Sequence, residues 1–268
     1  YAGAGTLGAE DAWYEVATDF EQWELNNVPF VGGTVDIAKC FDQILRPLVY
    51  ALASAAGMPH HILDAYQRFQ EGLLLHNTIA GGVGTGFSRR CGIPQGCPLS
   101  MMFTALLMRP WIILTKQMGA CPRILADDIL LLVPGQGMIR RFASSLTKTH
   151  EYLIDMGAKI AEGKSLNFAS TVAARKWLSA TAWDKAGGII KVVEHLRYLG
   201  GHLTTTSRRH HNTLTQRGIA GQHMAARASR LLAARHLKAA IIRVKVLSMA
   251  LYGIEVADFT EREYAALT

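Results

Sequence analysis

Asp127 and Asp128 are adjacent carboxylates between two apolar runs, Ile124-Leu125-Ala126 and Ile129-Leu130-Leu131-Leu132-Val133. Each run is too short for a helix, and Pro122 and Pro134 bound the stretch. The pattern predicts a tight β-hairpin with both acids at its turn. Asp is a common turn residue, so ordinary hairpin chemistry accounts for the pair. On an otherwise buried hairpin, however, two like charges repel unless a cation or a solvated cleft receives them. A third acid, Asp36, stands at the end of a predicted strand over residues 30–37 that can lie beside the hairpin. Three carboxylates from two neighbouring elements can hold two divalent cations about 3.5–4 Å apart, the arrangement for in-line phosphoryl transfer. Oxygen-only ligands favour Mg²⁺ over zinc.

The elements that must position these acids follow from periodicity and punctuation. Ala12, Val16, Phe20 and Trp23 recur at spacings of three and four and predict a helix over 9–24. In the 30–37 strand, Gly32-Gly33 marks a bulge or a close approach. A helix follows with Pro47 in its first turn and ends at Gly57-Met58-Pro59; another fits 60–70. Short strands over 73–80 and 85–90 flank the turn signal Gly81-Gly82-Val83-Gly84. The loop Cys91-Gly92-Ile93-Pro94-Gln95-Gly96-Cys97 leads into a long apolar helix, 98–118, which Pro110 should kink. An amphipathic helix over 138–156 ends at Gly157. A strand-rich stretch then reaches Leu203, and a helical, basic remainder follows. This order predicts an α+β fold, a small antiparallel sheet with helices on one face. The expected division is 1–203 and 204–268, with the boundary in the polar, basic stretch 204–212.

Half of the 268 residues are hydrophobic, enough for a sizeable core. Arg109, Pro110 and Lys116 interrupt one apolar stretch and Arg243 and Lys245 another, so no run reaches membrane-span length. The chain begins at Tyr1 with no visible signal peptide and is expected to be an internal piece of a longer protein. Its net charge of +7 is unevenly placed: no acid occurs between His195 and Ile254. Arg197, Arg208, Arg209, Arg217, Arg227, Arg230, Arg235, Lys238, Arg243 and Lys245 all lie there, and the remaining 18 bases face 21 acids. A basic third joined to an acidic centre suits a polyanion held beside a metal site; a solvated helix face is the bland alternative. Cys40, Cys91, Cys97 and Cys121 form no C-x-x-C pair and have no zinc-type spacing. They are expected to be buried thiols in a reducing, intracellular compartment. His60-His61 and His210-His211 lie near no second ligand cluster and fit solvated loops.

Val35-Asp36-Ile37-Ala38-Lys39-Cys40-Phe41-Asp42, Gly92-Ile93-Pro94-Gln95-Gly96-Cys97-Pro98-Leu99-Ser100 and Ala126-Asp127-Asp128 resemble the palm motifs of reverse transcriptases. The closest likeness is to the non-LTR retrotransposon type, whose first motif has the form D-x-x-K-A-F-D. The segment from Gly157 to Ser165 with Lys164 is similar to the next palm motif. Arg197-Tyr198-Leu199-Gly200-Gly201-His202-Leu203 resembles the primer-grip strand pair, and Leu251-Tyr252-Gly253-Ile254-Glu255 a segment beyond it. The likeness spans roughly 31–255, and the Pro-Gln-Gly loop is its most specific element.

The resemblance implies an RNA-directed DNA polymerase: a right-hand palm with partial fingers and a helical, thumb-like C-terminal region. Asp36, Asp127 and Asp128 would hold two Mg²⁺ ions, with Mn²⁺ as an alternative, and Lys164 would act as general acid or phosphate partner. Phe41 would exclude a ribose 2′-OH, and Gln95 and Gly96 would shape the nucleotide pocket. Arg89 and Arg90 would contact template phosphates; Tyr198, Leu199, Gly200, Arg227 and Arg230 would meet the nucleic acid. The implied partners are an RNA template, a DNA primer and a dNTP, with no membrane, and the implied place of action is nuclear. Read by type alone, Phe41 also fits a core aromatic, Lys164 a surface lysine, and Arg89-Arg90 a solvated strand.

Several positions depart from the family pattern. Leu125 replaces an aromatic, Met101 a second proline, and Ala161 a polar Asn. Residues 1–30 contain no Lys or Arg, so much of the fingers is expected upstream and the fragment alone is expected to be inactive. Two other readings stay open: a group II intron-type reverse transcriptase or maturase, and a non-catalytic RNA-binding derivative. Viral RNA-dependent RNA polymerases share the palm but carry Gly before the paired Asp and lack Pro-Gln-Gly.

Overall fold

The computed structural model describes residues 8–94, 96–161, 163–206 and 212–252. It divides into two compact units, Tyr1–Ala12 with Trp23–Val192, and Trp13–Gln22 with Val193–Thr268.

The first unit is organised around β1 (Phe30–Val35), which follows helix α1 (Ala9–Leu25). After β1 come α2 (Cys40–Gln43), α3 (Arg46–Ala55) and α4 (His60–Gly72). Four two-residue strands follow: β2 (Leu74–Leu75), β3 (Thr78–Ile79), β4 (Gly82–Val83) and β5 (Phe87–Ser88). Then come α5 (Ser100–Gln117), the hairpin β6 (Cys121–Leu125) and β7 (Asp128–Pro134), and α6 (Met138–Asp155). The unit closes with β8 (Leu166–Ala169), α7 (Val172–Ala180), β9 (Ala182–Trp183), β10 (Gly188–Ile189) and β11 (Lys191–Val192). Five strands form the main sheet in the order β11-β8-β1-β7-β6. All its pairings are antiparallel except β11 with β8, so one edge departs from the antiparallel expectation.

The continuous apolar run of β7 is what a central strand buried on both faces requires. Ile129, Leu131 and Val133 pack with Val31 and Val35 of β1, Trp111 of α5, and Phe142 and Leu146 of α6. Leu130 and Leu132 alternate to the other face and are also fully buried, as is Phe168. The β1–β7 register runs unbroken from Phe30↔Pro134 to Val35↔Ile129, so Gly32-Gly33 forms no bulge. The glycines serve close approach instead. A Cβ on Gly32 would lie 2.5 Å from Phe168 Cζ, and one on Gly33 2.5 Å from Asn167 Oδ1.

A second core lies among α3, α4 and α5, where Ile44, Val49, Tyr50, Leu63, Phe103 and Leu107 meet Ile93 of the loop before α5. Pro47 occupies the first turn of α3, Pro110 lies inside α5, and Gly57 and Gly157 take positive φ after α3 and α6. The expected pair of strands at 73–90 is instead two nested ladders, β2 with β5 and β3 with β4. Gly82 and Val83 therefore pair in a strand, and the tight turn is Ala80-Gly81, both at positive φ. Helix α7, capped by Thr171 through its hydroxyl, interrupts the stretch expected to be strand-rich.

The second unit contains the hairpin β12 (His195–Tyr198) and β13 (Gly201–Thr204). Helices α8 (Asn212–Ser229) and α9 (Arg235–Ile241) follow, then a π-helical turn at Ile242–Leu247 and α10 (Ser248–Leu251). The hairpin groups with these helices, so the compact boundary falls at Val193, ahead of residue 204. No helix among the described residues is long and apolar enough to cross a membrane.

Candidate active site

Strand β1 ends at Val35 and delivers Asp36. The loop before β8 then fixes the backbone beyond it. Ala161 N–H donates to the Asp36 carbonyl at 2.8 Å, Ala38 N–H to the Lys159 carbonyl at 2.9 Å, and Ile37 bridges Ile160. Asp36 N–H donates to Ser165 Oγ at 3.4 Å. Lys164, from the same loop, places Nζ 3.2 Å from Asp36 Oδ2.

The acidic hairpin forms as its sequence predicts. Leu125 pairs with Asp128, leaving Ala126-Asp127 as a two-residue turn. Ala126 sits at φ 56, a left-handed conformation that costs a non-glycine residue about 1–3 kcal/mol. The β1–β7 ladder ends on Val35↔Ile129, so Asp36 and Asp128 follow at adjoining ends of neighbouring strands. Electrostatics register this gathering. Asp128 reaches solvent, yet packing around its carboxyl, then the charges of Asp127 and Asp36, push its pKa up. Cys40 is pushed up to about 12 by burial, then by Asp127 and Asp36, and stays a neutral thiol.

The donors suit Mg²⁺ in kind: hard carboxylate oxygens whose mutual repulsion a divalent cation would relieve. They are neighbours rather than a formed shell. Among the described residues no group of three or more His, Cys, Asp and Glu is placed to hold a metal ion, and Asp36 is ion-paired to Lys164.

Beside the acids, the loop before α5 is pinned to the segment that follows Asp36. Ile93 N–H donates to the Phe41 carbonyl at 2.8 Å and Gly92 N–H to the Ile44 carbonyl at 2.8 Å. Gly92 sits at φ 84, and a Cβ there would lie 2.7 Å from the Asp42 carbonyl oxygen. Arg89 Nη1 lies 2.7 Å from Asp42 Oδ1. Both Arg89 and Arg90 are exposed, and Arg89 is engaged with Asp42 at the surface. Phe41 is half-buried against the core that contains Ile93 and Phe103. Gly96 takes φ 86 with open space where a Cβ would stand; Gln95 lies outside the described residues.

A family model described as reverse transcriptase (RNA-dependent DNA polymerase) matches residues 28–203. The chain belongs to the reverse transcriptase family. The fold agrees with that membership. Telomerase from Candida tropicalis in complex with a TWJ fragment of telomeric RNA superposes with a TM-score of 0.52 at 10% identity, covering 92% of this chain and 42% of that one. Apo telomerase from Candida tropicalis gives 0.50 at 11% identity, covering 95% and 48%. At such identity the likeness concerns fold alone, and the chain spans less than half the length of these telomerases. No curated protein matches it closely enough to count as a relative.

The remaining residues expected to meet nucleic acid fall in the second unit, Arg227 and Arg230 beyond the matched stretch. Tyr198 is 3% exposed, and Leu199-Gly200 form the half-buried two-residue turn of the hairpin. Arg227 of α8 and Arg230 just beyond it are exposed. Sequence reasoning passed over Ser165 and Cys40 as parts of the site. Cys40 stands where the family motif has Ala, which was the available signal. Arg46, buried at 2% exposure, was also missed because nothing in its sequence neighbourhood announces burial.

Proposed function

We propose that this chain carries the catalytic palm of an RNA-directed DNA polymerase of the non-LTR retrotransposon type. It would join a deoxynucleotide to a primer 3′-OH on an RNA template, releasing pyrophosphate. One observation carries the reading: Asp36 leaves a central strand at the end adjoining the Asp127-Asp128 hairpin, with Lys164 at 3.2 Å.

Asp36 and Asp127, with Asp128 beside them, are the residues that would hold the divalent cations. When bound, Mg²⁺ supplies neutralising charge to the phosphates and favours ionisation of the attacking hydroxyl. Lys164 places an ammonium next to Asp36, where it can give a proton to the departing pyrophosphate or offset its charge. Phe41, whose carbonyl is tied to Ile93, presents an aromatic wall against a ribose 2′-OH. Gln95 and Gly96 would border the nucleotide, and the open space at Gly96 leaves room for it. Arg90, Arg227 and Arg230 would meet backbone phosphates, and Leu199-Gly200 the primer.

Primer extension on an RNA template by the full-length protein tests this reading. Asp127→Asn should reduce extension on the order of 10³-fold, with template affinity held within about twofold because binding rests mainly on basic residues. Undiminished synthesis by that variant would sink the assignment. In the same assay Phe41→Val should raise ribonucleotide incorporation by about tenfold or more. Wild-type discrimination in that variant would return Phe41 to a purely packing role.

A further inference from the structure

The turn joining β12 to β13 places two consecutive residues in the left-handed region, Leu199 at φ 47 and Gly200 at φ 87. Two-residue hairpins of this type favour Asn or Gly at both positions, so a leucine in the first is strained. The strain is met by a residue far along the chain. Tyr252, just after α10, donates its Oη hydrogen to the Leu199 carbonyl at 3.0 Å. Its ring covers Gly200 so closely that a Cβ there would lie 2.3 Å from Tyr252 Cε1. Gly200 is thus required both by its φ and by the ring above it.

Tyr252 is itself seated by Arg217 of α8. The Arg217 guanidinium lies 5.1 Å from the ring centroid, a cation–π distance, and its Nη1 donates to the Tyr252 carbonyl at 2.6 Å. The arrangement has three tiers, all in the second unit: a helix arginine, an aromatic ring, and the turn.

We infer that Tyr252, seated by Arg217, is a positioning residue that locks the Leu199-Gly200 turn in the shape a primer strand meets. The consequence for the primer rests on the polymerase reading above; the hold on the turn does not. Phenylalanine at 252 keeps the ring over Gly200 and loses only the hydroxyl that restrains Leu199. Because one hydrogen bond is removed, the effect is modest and directional.

The test uses the full-length protein. Hydrogen exchange of the 199–201 amides reads the lock, and steady-state primer extension reads its consequence. Tyr252→Phe should raise exchange at the turn and KM for primer–template by about fivefold each, while KM for dNTP stays at the wild-type value. Arg217→Met should act in the same direction, by about two- to fivefold. Unchanged exchange in both variants overturns the lock. An equal rise in KM for dNTP overturns the positioning role and reduces Tyr252 to a general structural prop. A wild-type protein with a protected turn but no primer extension overturns the polymerase reading and the primer consequence, while leaving the lock supported.

Discussion

At the β6–β7 corner Ala126 lies in the left-handed region, and at the β12–β13 corner Leu199 does. The first corner is held from behind: β7 is an interior strand of a five-stranded sheet, between β1 and β6, and Ile129 through Val133 are 0–1% exposed. The second belongs to a two-stranded ladder that cannot impose its own geometry, and it relies on Tyr252 reaching back to Leu199. A strained turn can therefore be sustained by rungs of buried ladder or by a single side chain from elsewhere. The two should respond differently to substitution. The acid-bearing corner should be sensitive to distant core changes, and the other to its clamp.

The largest effect on this contrast should come from Gly32→Ala. Its new Cβ would lie 2.5 Å from Phe168 and 2.8 Å from Leu132 of β7. Overpacking of this kind costs about 1–3 kcal/mol, to be read as a lowered thermal unfolding midpoint. Exchange at 199–201 should not change, and a rise there would end the claim that the corners are held independently.

Next is the pH response of Asp128. Its pKa is raised in the folded chain by packing and by Asp127 and Asp36. The folded state therefore takes up protons more readily than the unfolded one, and the ionised group opposes folding above its folded pKa. Asp128→Asn should accordingly raise the unfolding midpoint at neutral pH. The gain should vanish as pH falls below the ordinary carboxylate range, where both states are protonated. A pH-independent gain would mean that the crowding of the three acids is not what raises it.

The smallest effects are expected from relieving the corners themselves. Ala126→Gly and Leu199→Gly should each change stability by no more than about 1 kcal/mol, because relief of backbone strain is offset by added unfolded-state freedom. Leu199→Gly should nevertheless shrink the effect of Tyr252→Phe, whereas Ala126→Gly should leave it intact. Measured in the same exchange experiment, equal behaviour of the two glycine variants would erase the distinction.

Much of the acidic centre was legible because its signals are local. Two short apolar runs around paired acids define the hairpin, and Gly32-Gly33 announced a close approach. What escaped was set by tertiary partners. The parallel pairing of β11 with β8 depends on which strand lies alongside, not on either sequence. Helix α7 buries only Ala174 and Leu178, too thin a stripe to stand out from surrounding strand-like residues. The nested ladders at 74–88 are two residues per strand, below the length at which alternation can be read. Tyr252 was visible as part of a motif, but its contact with a turn more than fifty residues earlier was not.

Arg46 shows how much arrangement one planar group can encode. Its guanidinium donates Nη1 to the Gln70 carbonyl at 2.6 Å and Nη2 to the Arg89 carbonyl, with Glu71 at 3.5 Å. Three stretches thus take their bearings from a single rigid fork: the start of α3, the end of α4 and the residue just after β5. A lysine would keep the charge but not the directions. The small ladders of residues 74–88 are suspended between two of those anchoring points. Whatever displaces them must bend the chain between the anchors or break the fork.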